Sequence, residues 1–287
     1  MLIDIRRAYV LPLFAAVCLF GVTSAPAFAA ESSPWDNDLR SAARLIAART
    51  VGESGSRVVR AGIEIKLQPG WKTYWRYPGD SGVPPVFDFS ASENVADVTV
   101  LFPAPKRFPD GAGGNSIGYM GEIILPLRIV PRDASKPVTL RLKLEYAVCE
   151  KSCIPAKAKA ELIVSGEATA NEPALGSAEA HVPKAGKVGD GRPLSITVVR
   201  RENGPGKPRI VVDVAAAAGT AIDLFAEGPT PDWALPLPEP MAGAPAGMQR
   251  FAFELDGMPP GVNPNGATLR LTATIGSEAV EAFYRLD

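Results

Sequence analysis

The sequence predicts an all-β protein built as two β-sandwich domains, and three observations predict it. Apolar and polar residues alternate at period two in short runs in both halves of the chain, which is the pattern of half-buried strands. Pro (28) and Gly (27) punctuate those runs in a chain of 287 residues that is 46% hydrophobic, a composition rich in turns yet able to bury a core. Between the halves, residues 166–192 string Ala, Gly, Pro and Glu together with no aromatic residue, no Ile and no periodicity, and read as a linker. The predicted domains are residues 35–165 and 193–287, each long enough for a core of its own.

Taken in chain order, residues 1–29 read as a signal peptide. Arg6 and Arg7 form the positive start, residues 8–22 an almost unbroken apolar run, and Ala27-Phe28-Ala29 the small-residue cleavage site. No later stretch approaches the ~18 apolar residues of a membrane span, so an exported, periplasmic protein is expected. Strands are predicted at residues 58–67, 95–102 and 122–130, separated by turns such as Pro69-Gly70 and Pro78-Gly79. Leu140, Leu142, Leu144 and Tyr146 alternate with Arg141, Lys143 and Glu145. Residues 157–164 alternate again, so the two runs predict an antiparallel pair. In the second half the pattern recurs at residues 194–200, 209–214, 221–226, 249–255, 268–275 and 279–286. Short strands at this spacing predict sandwiches of immunoglobulin-like type.

The charge balance, 30 Lys+Arg against 31 Asp+Glu, lacks the basic footprint of a nucleic-acid binder. Three Cys and one histidine speak against a zinc centre of three or four Cys/His ligands and leave His-based acid–base catalysis with His181 alone. Asp80 and Ser81 are ordinary turn residues with no His for a hydrolase triad. Trp71, Tyr74, Trp75 and Tyr77 read as a core edge more readily than as a docking surface, and Trp233 as a packed residue on a Pro-rich loop.

Chemistry concentrates on Cys149 and Cys153, since Cys18 leaves with the signal peptide. In a regular strand, positions i and i+4 lie about 13 Å apart, whereas a disulfide needs Cα atoms within about 7 Å, so the pair can bond only across a turn. So small a loop adds only about 2 kcal/mol by loop entropy, a poor staple but a good exchangeable bond. Three readings stay open: a redox couple, an inert clip, and a Cu(I) site of two thiolates completed by His181 or Met120. No other cofactor is implied.

Four ordered motifs carry a resemblance: Gly70-Trp71-Lys72-Thr73-Tyr74-Trp75, Pro78-Gly79-Asp80-Ser81-Gly82, Gly118-Tyr119-Met120-Gly121-Glu122, and Tyr146-Ala147-Val148-Cys149 through Cys153-Ile154-Pro155. Over about residues 35–165 the chain resembles the periplasmic N-terminal domain of the DsbD thiol:disulfide interchange family. Its short cysteine spacing is closer to relatives called suppressor of copper sensitivity proteins. The resemblance implies an immunoglobulin-like domain that relays electrons between thioredoxin-like proteins through mixed disulfides. It implies Cys153 as the cysteine that engages partners and Cys149 as the one that resolves. It also implies an aromatic cap over the pair, for which residues 109–121 are the candidate, with Gly113-Gly114 for mobility and Tyr119 and Met120 near the end. The region after the linker has no cysteine, so a relay of this kind is expected to draw electrons from a separate membrane donor.

Overall fold

Strands form where the sequence alternates, and several more form where it does not. The computed structural model describes residues 30–287 apart from 54–55, 112, 204–205 and 218; the expected signal peptide, residues 1–29, lies outside the described residues. The first domain comprises β1 (Asp36–Asn37), β2 (Ser41–Ala47), β3 (Val51–Glu53), β4 (Ser56–Leu67), β5 (Lys72–Gly79) and β6 (Val86–Asp88). It continues through β7 (Val95–Val100), β8 (Lys106–Pro109), β9 (Asn115–Met120), β10 (Glu122–Pro131), β11 (Val138–Cys149) and β12 (Cys153–Val164). One sheet runs β1-β2-β4-β10-β7 with β3 on β4, and the other runs β12-β11-β5-β9-β8 with β6 on β11.

Period two explains the layering. Val59, Ala61, Ile63 and Ile65 of β4 are buried against Leu140, Leu142 and Leu144 of β11, while Arg141, Lys143 and Glu145 turn outward. Each fully buried Leu or Ile stabilises the sandwich by about 1.5–3 kcal/mol relative to exposure. A buried hydrogen bond of 2.7 Å between the Tyr146 and Ser41 hydroxyls ties β11 to the opposite sheet. β12 is the outermost strand of its sheet, and its Lys159 amide donates to the Asp36 carboxylate at 2.7 Å.

The stretch expected as a linker is folded along much of its length. It carries α1 (Glu172–Ala180) and β13 (Lys184–Ala185). Pro173 in its first turn suits a helix start, where the missing N–H costs nothing. Leu175 is fully buried beside Ile46 and Ile124, and the Arg60 guanidinium bonds Glu172 and Glu179 of the helix at 3.0 and 2.7 Å. A helix with three anchoring residues, Leu175, Glu172 and Glu179, and otherwise Pro, Ala, Gly and Ser has too little periodicity to be read from sequence.

The second domain comprises β14 (Ser195–Glu202), β15 (Arg209–Ala215), β16 (Asp223–Glu227), β17 (Glu239–Met241), β18 (Met248–Glu254), β19 (Thr268–Ile275) and β20 (Glu278–Arg285). Its sheets run β14-β15-β18-β17 and β13-β20-β19-β16, enclosing Ile210, Val212, Phe251, Phe253, Leu271 and Trp233. The all-β, immunoglobulin-like sandwich architecture predicted from the alternation is therefore present. The two cores also meet: Phe225 of β16 packs on Trp75 of β5 with ring centroids 5.6 Å apart, and Leu237 joins the same cluster. Around that contact Arg107 of β8 bonds Asp223 and Glu239 at 2.8 and 2.7 Å.

Candidate functional site

β11 and β12 pair without interruption from Val138 opposite Val164 to Cys149 opposite Cys153. Glu150, Lys151 and Ser152 make the turn, so the reversal required by the cysteine spacing is present and Cys149 and Cys153 are disulfide-bonded with Cα atoms 4.2 Å apart. That separation matches the closer, non-hydrogen-bonded pair type of an antiparallel ladder, where facing side chains approach most nearly. The sulfurs are unequal in access. Cys149 is 2% exposed, and Cys153 stands at the exposed start of β12.

Alternation decides what surrounds them. Tyr146 and Val148 point into the core, while Ala147 and Cys149 point to the outer face and form a small buried cluster with Tyr74 of β5. The Tyr74 hydroxyl lies 2.7 Å from Cys149 Sγ and 2.9 Å from Cys153 Sγ. Neither sulfur of a disulfide carries a hydrogen, so the tyrosine must be the donor to both. Burial pushes the Tyr74 phenol above its ordinary value, which keeps that hydrogen in place at neutral pH. Lys72, two residues earlier on the same face, is the ladder partner of Cys149, and its ammonium donates to the Pro109 carbonyl at 3.3 Å.

Glycines let the chain close over this group. Gly82 has φ +124°, and a Cβ there would lie 2.3 Å from the Tyr74 ring, so only glycine allows the turn after β5 to rest on the aromatic face. Asp80 holds the turn by accepting from the Asn115 amide at 2.9 Å. At Gly118, opposite Tyr74, a Cβ would fall 1.9 Å from the Thr73 carbonyl oxygen, so β9 can approach β5 there only as glycine. All four sequence motifs thus converge on one place.

The placement of Tyr119 differs from expectation. Tyr119 pairs with Thr73 rather than Tyr74, so its side chain points to the core face, across the sheet from the disulfide. It is 7% exposed and donates to the Pro103 carbonyl at 2.8 Å. It does not cover the cysteines; Tyr74 does. Met120 is exposed and lines a cavity with Tyr119, Phe108, His181 and Ser277 that the cysteines do not share. Much of the segment expected as a mobile cap is the strand β9. Among the described residues no group of three or more His, Cys, Asp and Glu is placed to hold a metal ion. What the sequence reading missed is the role of Tyr74: β5 carries large aromatics on both faces, which hides its period and therefore which aromatic meets the sulfurs.

Comparison with known proteins agrees with the motifs. Residues 43–165 match the family described as thiol:disulfide interchange protein DsbD, N-terminal. Among solved structures, the crystal structure of the N-terminal periplasmic domain of ScsB from Proteus mirabilis is similar, with a TM-score of 0.69 and 21% identity over 89% of this chain and 98% of that one. That likeness extends through both sandwiches and concerns the fold. No curated protein sequence matches the chain. Among the described residues no helix is long and apolar enough to cross a membrane. The four motifs thus lie in or beside the stretch, residues 43–165, that matches the N-terminal domain family of the thiol:disulfide interchange protein DsbD.

Proposed function

We propose that the protein is a periplasmic thiol–disulfide relay that passes two electrons between thioredoxin-like proteins through Cys149 and Cys153. The observation that carries this reading is the asymmetry of the pair: an exposed Cys153 to attack, beside a buried Cys149, with the Tyr74 hydroxyl against both sulfurs. A donor thiolate attacks Cys153 Sγ; the bond between the two cysteine sulfurs breaks as the new one forms, and Cys149 leaves as a thiolate. The Tyr74 hydroxyl, 2.7 Å from Cys149 Sγ, stabilises that charge as it appears. The second thiolate of the donor then attacks its own sulfur in the mixed disulfide and releases Cys153, so the donor is oxidised by two electrons and this pair is reduced. Delivery runs the same steps in reverse, with Cys153 attacking an acceptor disulfide and Cys149 resolving the intermediate.

In this reading residues 1–29 direct export, the donor is a separate membrane protein, and no cofactor takes part. Cys149→Ala is expected to leave Cys153 able to form long-lived mixed disulfides with thioredoxin-like proteins, visible on non-reducing gels. If Cys153→Ala traps partners and Cys149→Ala does not, the two roles are reversed. The reduction potential separates the relay from an inert clip, because a structural bridge lies below about −300 mV. Stoichiometric retention of Cu(I) by the reduced protein would favour a copper-binding role for the same thiolates instead.

A further inference from the structure

We infer that the second domain acts on the redox site through β5, with Arg76 as a positioning residue that Glu227 and Glu281 hold so that the Tyr74 hydroxyl stays against both sulfurs. The inference rests on reading the pair as exchangeable. Within its own sheet β5 is paired at its two ends and not between them. It pairs with β11 at Thr73 and Lys72 and with β9 at Lys72, Thr73 and Tyr74, after which the register breaks until Gly79. From Trp75 to Tyr77 the strand is gripped by the other domain. Trp75 meets the Phe225 ring at a tilt, the Tyr77 hydroxyl donates to the Leu235 carbonyl, and Arg76, whose guanidinium also lies 3.9 Å from the Trp75 ring centroid on its own strand, reaches Glu227 and Glu281.

Arg76 is the charged centre of that grip. Its Nη2 bonds Glu227 Oε1 and Glu281 Oε2, each at 2.7 Å, and its Nε bonds Glu227 Oε2 at 3.0 Å. The side chains of all three residues are 13–14% exposed. Arg270 shares the second carboxylate at 2.8 Å. A forked guanidinium between two largely buried carboxylates has one low-energy pose, and removing a partner leaves charge uncompensated. Because Arg76 and Tyr74 are alternate residues of one short strand, a shift at Arg76 is transmitted along the backbone to the hydroxyl at the sulfurs. Three successive residues of the strand of Tyr74, Trp75, Arg76 and Tyr77, each meet the second domain. Arg107 supplies the comparison, since it makes two interdomain ion pairs from β8, away from the pair.

The test uses the full chain with Glu227→Gln, Arg76→Lys and Arg107→Lys, each alone and combined with Tyr74→Phe. Reduction by dithiothreitol is timed, urea unfolding verifies the fold, and the Tyr74 signal is followed by NMR after 13Cζ-tyrosine labelling. Expected are about threefold or greater slowing by Glu227→Gln and Arg76→Lys when Tyr74 is present, no further slowing in the Tyr74→Phe background, and a displaced Tyr74 signal. Arg107→Lys should leave both rate and signal unchanged. Equal slowing in both backgrounds, an unmoved Tyr74 signal, or the same slowing by Arg107→Lys would overturn the inference. The NMR arm does not depend on reducibility. A pair that resists dithiothreitol in every variant sinks the relay reading, while the Tyr74 signal still decides the coupling.

Discussion

At the scale of single residues, the site works by contrast between neighbours. Cys149 and Cys153 face one another across the hairpin, yet one is shut in by Ala147 and Tyr74 and the other opens to solvent. Tyr74 contributes a donor to a sulfur that becomes negative only when the bond breaks, so its effect is larger on the reaction than on the resting protein. Tyr74→Phe keeps the ring and loses the hydroxyl. A hydrogen bond of about 1 kcal/mol predicts about fivefold slower reduction by dithiothreitol, together with a higher Cys149 pKa measured from thiolate absorbance. Unchanged kinetics would remove the hydroxyl from the chemistry. The cysteines and their turn were legible in the sequence because spacing alone decides whether two sulfurs can meet. Which tyrosine meets them was not, because one residue of register moves a side chain to the opposite face of a sheet.

At the scale of elements, strands with strict alternation were legible and strands serving two masters were not. β11 and β12 read clearly because one face is core and the other solvent. β5 has Trp75 in the core and Tyr74 against a disulfide, and β9 contains a glycine required by its neighbour's carbonyl; both look like loops in one dimension. The second domain offers an element-scale test. Asp213 of β15 sits opposite Arg250 of β18 and accepts two bonds from it, at 2.6 and 2.8 Å, on an almost fully buried carboxylate. Those bonds hold the Asp213 carboxyl below its ordinary value. The resulting stability is present above the unfolded value of about 4 and is lost as pH falls through the lower native value. Urea unfolding between about pH 6 and pH 3 is therefore expected to show a shallower acid loss in Asp213→Asn than in the parent. Identical pH slopes would mean that the pair contributes nothing to acid sensitivity.

At the scale of the whole molecule, the connecting stretch is a structural part of the first sandwich. Leu175 rests over Gly62 of β4 beside Ile46 of β2 and Ile124 of β10, and Arg60 reaches out to both ends of α1. Leu175→Ala is expected to cost about 2–5 kcal/mol in urea unfolding. A fragment covering residues 30–166 should unfold at lower urea than one covering 30–192, since it loses the helix and leaves the Arg60 guanidinium without its two carboxylates. Equal midpoints for the two fragments would show that the helix merely rests on the sheet. The attachment of the connector depends on one leucine and two glutamates that no period announces, so composition alone reads the stretch as a linker.

The outer border of β12 has a consequence for how copies of the protein meet. The Lys159 amide faces away from β11 toward Asp36, so by period two the backbone groups of Lys157, Pro155 and Cys153 face the same way. Proline has no hydrogen to give, lysine side chains repel a like neighbour, and the fourth position is already taken, so this border is a poor template for another strand. Two molecules are thereby kept from zipping together along β12 and bringing their accessible sulfurs into line. If Cys153 exchanges with foreign thiols as proposed, the same stretch of backbone withholds it from its own kind.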